Sequence, residues 1–137
     1  MADGRFAMTI PSDTAAGMEA QQRILGRLEA LGFAGRDLTH MQLALEEAII
    51  NAIKHGNRED EDKVVKIVCD LGPDRAKVVI RDQGEGFDPE DVPDPTAEEN
   101  LDKASGRGIL LMRSFMTELS YADGGRQLTL VKDRTTE

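Results

Sequence analysis

The 137-residue chain has a single cysteine, Cys69, which excludes an internal disulfide framework and any metal centre built on paired cysteines. A strand position suits it, with a thiol nucleophile the rarer alternative. No run approaches the roughly 18 apolar residues of a membrane-spanning helix, and no basic segment followed by an apolar stretch opens the chain. The expectation is a cytoplasmic protein without a membrane partner. Bases are scarce: 17 Lys and Arg stand against 26 Asp and Glu, for a formal charge of −9. Lys66, Arg75, Lys77 and Arg81 are scattered among acids, so the clustered positive charge that nucleic-acid binding requires is missing. Also missing are a Gly-x-x-x-x-Gly-Lys-Ser/Thr loop, a Gly-x-Gly-x-x-Gly turn after a strand and a His-Arg-Asp loop.

What is present is an ordinary globular balance, 39% hydrophobic and 31% charged, at a length that suits one domain over residues 1–137. Residues 5–10 alternate Phe6, Met8 and Ile10 against polar or small neighbours, as a half-buried strand does. Over 15–31, Met18, Ile24, Leu25, Leu28 and Leu31 recur at helical spacing and Gly32 ends the run. Residues 35–39 read as a loop offering Asp37 or Thr39 as a helix cap, and 57–63 as a solvated turn. Val64 to Leu71 and Ala76 to Ile80 form a hairpin across Gly72-Pro73-Asp74. Residues 88–105 are acidic, rich in proline and without period, a length of loop that is functional or disordered. A helix follows with Ile109, Leu110, Met112, Phe115 and Met116, its cap assigned to Ser105. A last hairpin turns at Asp123-Gly124-Gly125. The order β, α, α, β, β, loop, α, β, β predicts an α+β fold, a two-layer sandwich of helices over a mainly antiparallel mixed sheet.

The stretch from Leu43 to Gly56 is the most informative. It reads as one helix stopped by Gly56. Leu45, Ala48, Ile49 and Ala52 share a face while Leu43 and Ile50 lie well round from it, so burial on more than one side is expected. Between these arcs runs a column at i, i+4, i+8: Glu47, Asn51 and His55, flanked by Ala44 and Ala48. A carboxylate and an amide beside small residues leave room for a ligand, and a buried carboxylate needs a cavity, a metal ion or donors against it. An exposed Glu-Asn pair is the plainer reading of the same spacing.

Asp82 stands where a strand ends, followed by Gly84 and Gly86. Such a carboxylate accepts a hydrogen bond from an exocyclic amine, and glycines admit a flat ring close to the backbone; a tight turn is the alternative. Gly106 and Gly108 open a helix whose free amides suit phosphate, though simple helix entry has the same form. In order, Glu-x-x-x-Asn, Asp-x-Gly-x-Gly-Phe, a long loop and Gly-x-Gly supply a general base, a Mg²⁺ ligand, an adenine reader and a phosphate cradle. An acidic chain that handles an anionic nucleotide needs Mg²⁺ and backbone amides to offset repulsion.

This series resembles the GHKL, or Bergerat-type, ATP-binding domain shared by gyrase, sensor histidine kinases and MutL. Within that group it is most similar to the small anti-sigma-factor serine/threonine kinases of bacteria. The resemblance covers nearly the whole chain. Its first box is Glu47-Ala48-Ile49-Ile50-Asn51-Ala52-Ile53-Lys54-His55-Gly56, its second Asp82-Gln83-Gly84-Glu85-Gly86-Phe87 and its third Gly106-Arg107-Gly108-Ile109-Leu110-Leu111-Met112. It implies ATP and Mg²⁺ as cofactors, Asn51 as metal ligand, Asp82 on the adenine amino group, and Gly84, Gly86, Gly106 and Gly108 shaping the nucleotide site. Glu47 is implied as the base, and His55 and Arg107 as residues near phosphates; His55 also reads as a helix-end residue. The implied partners are a sigma factor and a small anti-anti-sigma antagonist phosphorylated on serine, and relatives of this kind often dimerise. Where the family often has Gly-Thr before its final strand, this chain has Gly124-Gly125-Arg126-Gln127. The competing expectations are a non-catalytic, nucleotide-dependent binding module and an ATPase domain serving a separate histidine-kinase partner, since neither His40 nor His55 lies in a phosphoacceptor motif.

Overall fold

The structure, a computed structural model, describes residues 4–85 and 106–135. Strand β1 (Arg5–Pro11) alternates as expected, with Ile10 buried. Helix α1 (Thr14–Ala30) begins at Asp13, whose Oδ1 accepts the Ala15 N–H at 3.1 Å, which satisfies one of the helix's free donors. Its inward line is Gly17, Ala20, Ile24 and Leu28. Met18, expected on that line, is 61% exposed. The small residues hold the inner positions because α1 comes very close to its neighbour there: a Cβ on Gly17 would lie 2.8 Å from Ile49 and 2.9 Å from Ile53.

Helix α2 (Gly35–Ile50) starts earlier than the sequence suggests. Extended Ala34 precedes it without a side-chain cap, and Gly35 at φ +56° makes the turn that a residue with a Cβ resists. Asp37 is therefore no cap; it lies buried inside the first turn, and Thr39 is exposed within the helix. At the far end α2 runs into a π-helical segment, Asn51–Gly56. There the Asn57 N–H reaches back five residues to the Ala52 carbonyl at 2.8 Å. The helix is thus not one regular cylinder to Gly56, and the stop falls at Arg58 and Glu59, which take φ of 54° and 57°. Leu43 faces outward at 37% exposure, so burial is concentrated on the Leu45 side.

Strands β2 (Val64–Leu71), β3 (Arg75–Arg81), β4 (Glu118–Ala122) and β5 (Gln127–Asp133) complete one sheet of order β1-β2-β3-β5-β4. Every pairing among the described strands is antiparallel, so the α+β class holds and the expected mixed character is not seen there. Alternation sends Val65, Ile67, Cys69 and Leu71, then Ala76, Val78 and Ile80, then Leu128 and Leu130 toward the helices. Each large aliphatic among them contributes about 1.5–3 kcal/mol by leaving water. Cys69 is one of these core residues, and burial pushes its thiol up to about 12, which fits the strand role and removes the nucleophile.

Helix α3 (Gly106–Phe115) lies against α2 and antiparallel to it. Gly108 meets Glu47 near one end, and the Phe115 ring stacks on His40 at the other, 4.4 Å between centroids. Ile109 and Met112 face inward, whereas Leu110, expected in the apolar stripe, is 58% exposed.

Candidate active site

The site begins at the last turn of α2. Glu47 is half-buried, and a Cβ built on Gly108 would stand 2.3 Å from its Oε2. No side chain but glycine's leaves the carboxylate in this place. The close approach brings together two motifs 61 positions apart, the end of α2 and the first turn of α3. Asn51, also half-buried, sits one helical turn on, at the junction of α- and π-helix; π-turns occur frequently at functional sites. His55 is half-buried within the π segment. Bonds closing over five residues widen the turn there relative to the α-helix.

Asp82 follows β3 and is held from two sides. Its N–H donates to the Arg126 carbonyl at 2.9 Å, and its Oδ1 accepts the Gly84 N–H at 2.8 Å. The carboxylate lies on the Cα of Gly56, where a Cβ would come within 2.5 Å of Cγ and Oδ2. Gly84 in turn rests on the Gly56 carbonyl, 1.9 Å from where a Cβ would stand. Gly56 is therefore required by contact rather than as a helix stop. Burial pushes the Asp82 carboxyl above the usual carboxylate range, opposed by the Gly84 N–H and by the charges of Arg126, Arg81 and Lys63. A half-buried carboxylate of this kind gains from an added donor, such as the exocyclic amine of a base.

Gly106 opens α3 as expected. Gly86, the Arg107 side chain, the Ser105 cap and the 88–105 loop lie outside the described residues. Among the described residues no three His, Cys, Asp or Glu side chains converge on a metal position. A Mg²⁺ ion held by one or two protein groups and by substrate phosphates needs no such cluster. The donor set suits a metal–nucleotide pair of that type: an amide at Asn51, one helical turn after the Glu47 carboxylate, and glycine at 56, 84 and 108.

Three residues of the site escaped the sequence reading. Asn57, assigned to a solvated turn, is fully buried. Its Nδ2 donates to Ser12 Oγ and to the Val64 carbonyl, both at 2.9 Å, and its Oδ1 accepts the Gln83 N–H at 2.7 Å. It thus ties the end of the π segment to the residue beside Asp82, and nothing in the polar run 57–63 marks it. Tyr121 of β4 is half-buried near Glu47; burial pushes its phenol up to about 12, with Arg113 opposing and the Glu47 charge adding. As the only tyrosine, on an alternating strand, it carried a faint signal. Arg126 sits beside Asp82, with Nε donating to the Gly84 carbonyl at 2.8 Å.

Residues 10–132 match the family model of the histidine kinase-like ATPase domain, and the chain belongs to that family. Among curated proteins it is similar to the serine-protein kinase RsbW of Staphylococcus epidermidis, 30% identical over 115 residues, which span 78% of this chain and 72% of the relative. It is also 30% identical over 104 residues to the serine-protein kinase RsbW of Staphylococcus aureus strain JH9, covering 70% of this chain and 65% of that one. The fold and the order of the boxes agree with this membership, which supports ATP as the ligand class and kinase activity as the class of reaction.

Proposed function

We propose that the protein is a serine/threonine protein kinase that uses Mg-ATP to phosphorylate a small antagonist protein on serine, and that it sequesters a sigma factor until that antagonist intervenes. The observation that carries the reading is the contact of Glu47 with Gly108, a candidate base set against the first turn of a helix, the end of the helix dipole that suits phosphate. In this reading Asp82 accepts the adenine amino hydrogen, and Asn51 holds Mg²⁺. Once bound, Mg²⁺ neutralises charge on the phosphates. Glu47 orients the incoming serine hydroxyl and takes its proton as the oxygen bonds to the γ-phosphorus and the bond to ADP breaks. Little covalent chemistry falls to the protein; positioning supplies most of the effect. The product gains a phosphate of about −1.5 to −2 charge facing a chain of formal charge −9, so the phosphorylated antagonist is released.

The test is Glu47→Gln, assayed with partners captured from the native source in Mg-ADP and Mg-ATP and read by mass spectrometry. Phosphotransfer should fall by about 10²–10⁴ while nucleotide affinity changes little. If the unmodified protein binds partners and phosphorylates none, it is a nucleotide-gated binding module instead.

A further inference from the structure

The final hairpin touches the turn that holds Asp82, and the structure gives that contact a role. Asp123, Gly124 and Gly125 all take left-handed backbone, with φ of 52°, 63° and 89°. For the aspartate this conformation is unfavourable, and such strain persists only where surrounding contacts hold it. Arg81 does so, donating to the Asp123 carboxylate through Nη2 and to Gln127 Oε1 through Nη1 at 3.1 Å. What the strained turn delivers is Arg126. Its backbone carbonyl accepts the Asp82 N–H, its Nε donates to the Gly84 carbonyl at 2.8 Å, and its Nη1 donates to the Asp123 carbonyl at 3.0 Å. Gly84 closes the loop by donating its N–H to Asp82 Oδ1.

We infer that Arg126 is a positioning and specificity residue for the adenine reader: it clamps Gly84, and through Gly84 fixes the direction in which Asp82 presents its carboxylate. The inference rests on the nucleotide-binding reading above and adds to it the device that sets base selectivity in this chain. A carboxylate can only accept. It favours the exocyclic amine of adenine and disfavours the carbonyl oxygen that guanine has at the same place. That discrimination depends on the carboxylate being held, because one free to swing lets water take up the mismatch. The guanidinium suits the task because its rigid fork bonds two carbonyls on different segments at once, one in the base-reading turn and one in the hairpin. Lysine cannot reproduce this with a single flexible ammonium.

The experiment is a titration of the full chain with Mg-ADP and Mg-GDP for the unmodified protein, Arg126→Ala, Arg126→Lys and Asp82→Asn. Thermal melts and amide hydrogen exchange at Gln83 and Gly84 are followed in parallel. The expected result is a clear adenine preference in the unmodified protein, reduced roughly three- to tenfold by Arg126→Ala, with Arg126→Lys between the two and faster exchange at Gly84 in both Arg126 variants. A merely structural arginine would weaken both nucleotides together and leave their ratio intact; that result overturns the inference. If Arg126→Ala does not fold, the Arg126→Lys ratio decides by the same criterion. Loss of preference in Asp82→Asn but not in either Arg126 variant leaves the nucleotide reading standing and removes Arg126 from it. An unmodified protein with no adenine preference removes the reading itself.

Discussion

Helix α2 presents a carboxyl-bearing cluster at each end, and the two are built on opposite principles. Near its start, Asp37 is 3% exposed, and its Oδ2 accepts the Thr135 N–H at 2.7 Å and the Thr135 hydroxyl at 2.9 Å. Lys132 stands 3.8 Å from the other oxygen, donates to the Phe115 carbonyl at the end of α3 at 2.8 Å, and meets His40 Nδ1 at 3.2 Å. The charges there are matched inside the protein. At the other end, Glu47 and Asp82 lie against glycines, and burial raises Asp82 past the opposing effect of the Gly84 N–H and of the Arg126, Arg81 and Lys63 charges. One cluster holds α2, α3 and β5 together; in the other the carboxylates lie against glycine. Polar residues in a core are structural when their partners are internal and functional when glycine has cleared the space beside them.

The largest effect should come from breaking the matched end. Lys132→Met leaves Asp37 as a buried charge without its cation, which costs about 3–5 kcal/mol. Denaturant unfolding should show a loss of that size, and the double variant Asp37→Leu/Lys132→Met should recover much of it, since a buried pair replaced by apolar residues is often neutral. Nucleotide affinity of the folded protein should be unchanged in both. A change in affinity as large as the change in stability would mean that the two ends are not separable.

The glycines sharpen the comparison at the other end. Alanine at 84 would drive its Cβ onto the Gly56 carbonyl, backbone against backbone, so Gly84→Ala should destabilise the fold and abolish nucleotide binding together. Alanine at 108 meets the flexible Glu47 side chain first, from Oε2 back to Cγ, rather than backbone, and that side chain can swing aside. Gly108→Ala should therefore keep or slightly raise stability, because glycine inside a helix costs roughly 0.5–1 kcal/mol relative to alanine. Phosphotransfer should fall about tenfold or more through a displaced base. Calorimetry beside a transfer assay separates the two, and equal activity in Gly108→Ala would show that the Glu47 contact does not position the carboxylate.

Much of this was legible in the chain. The strands and the order of elements follow from period and spacing, because burial on one face imprints hydrophobic alternation directly. What escaped depended on contacts between distant segments. Gly17 and Gly56 are glycine because another segment presses on them, which no local pattern records. Asn57 and Lys132 are polar residues whose partners lie 45 and 92 positions away; from sequence each looks solvated. The π-helical segment was equally hidden, since its residues are as compatible with an α-helix, and it is hydrogen bonds over five residues, such as Asn57 to Ala52, that distinguish it.

The smallest expected effect probes the matched end by pH. Burial lowers the His40 pKa below its ordinary 6.5, with the Lys132 and Arg36 charges adding and Asp37 opposing. Below pH 6.5 the unfolded chain takes up this proton before the folded one does, so stability falls as pH drops from 6.5 through the folded value and is regained on returning above it. His40→Gln removes the titration while retaining an acceptor for Lys132. Unfolding measured between pH 7.5 and about 5 should show a shallower loss of stability in the variant than in the unmodified protein, with the two curves parallel above pH 7. Parallel curves across the whole range would mean that His40 exchanges its proton equally in both states, and the stack on Phe115 together with the Lys132 contact would then be a packing feature without electrostatic consequence.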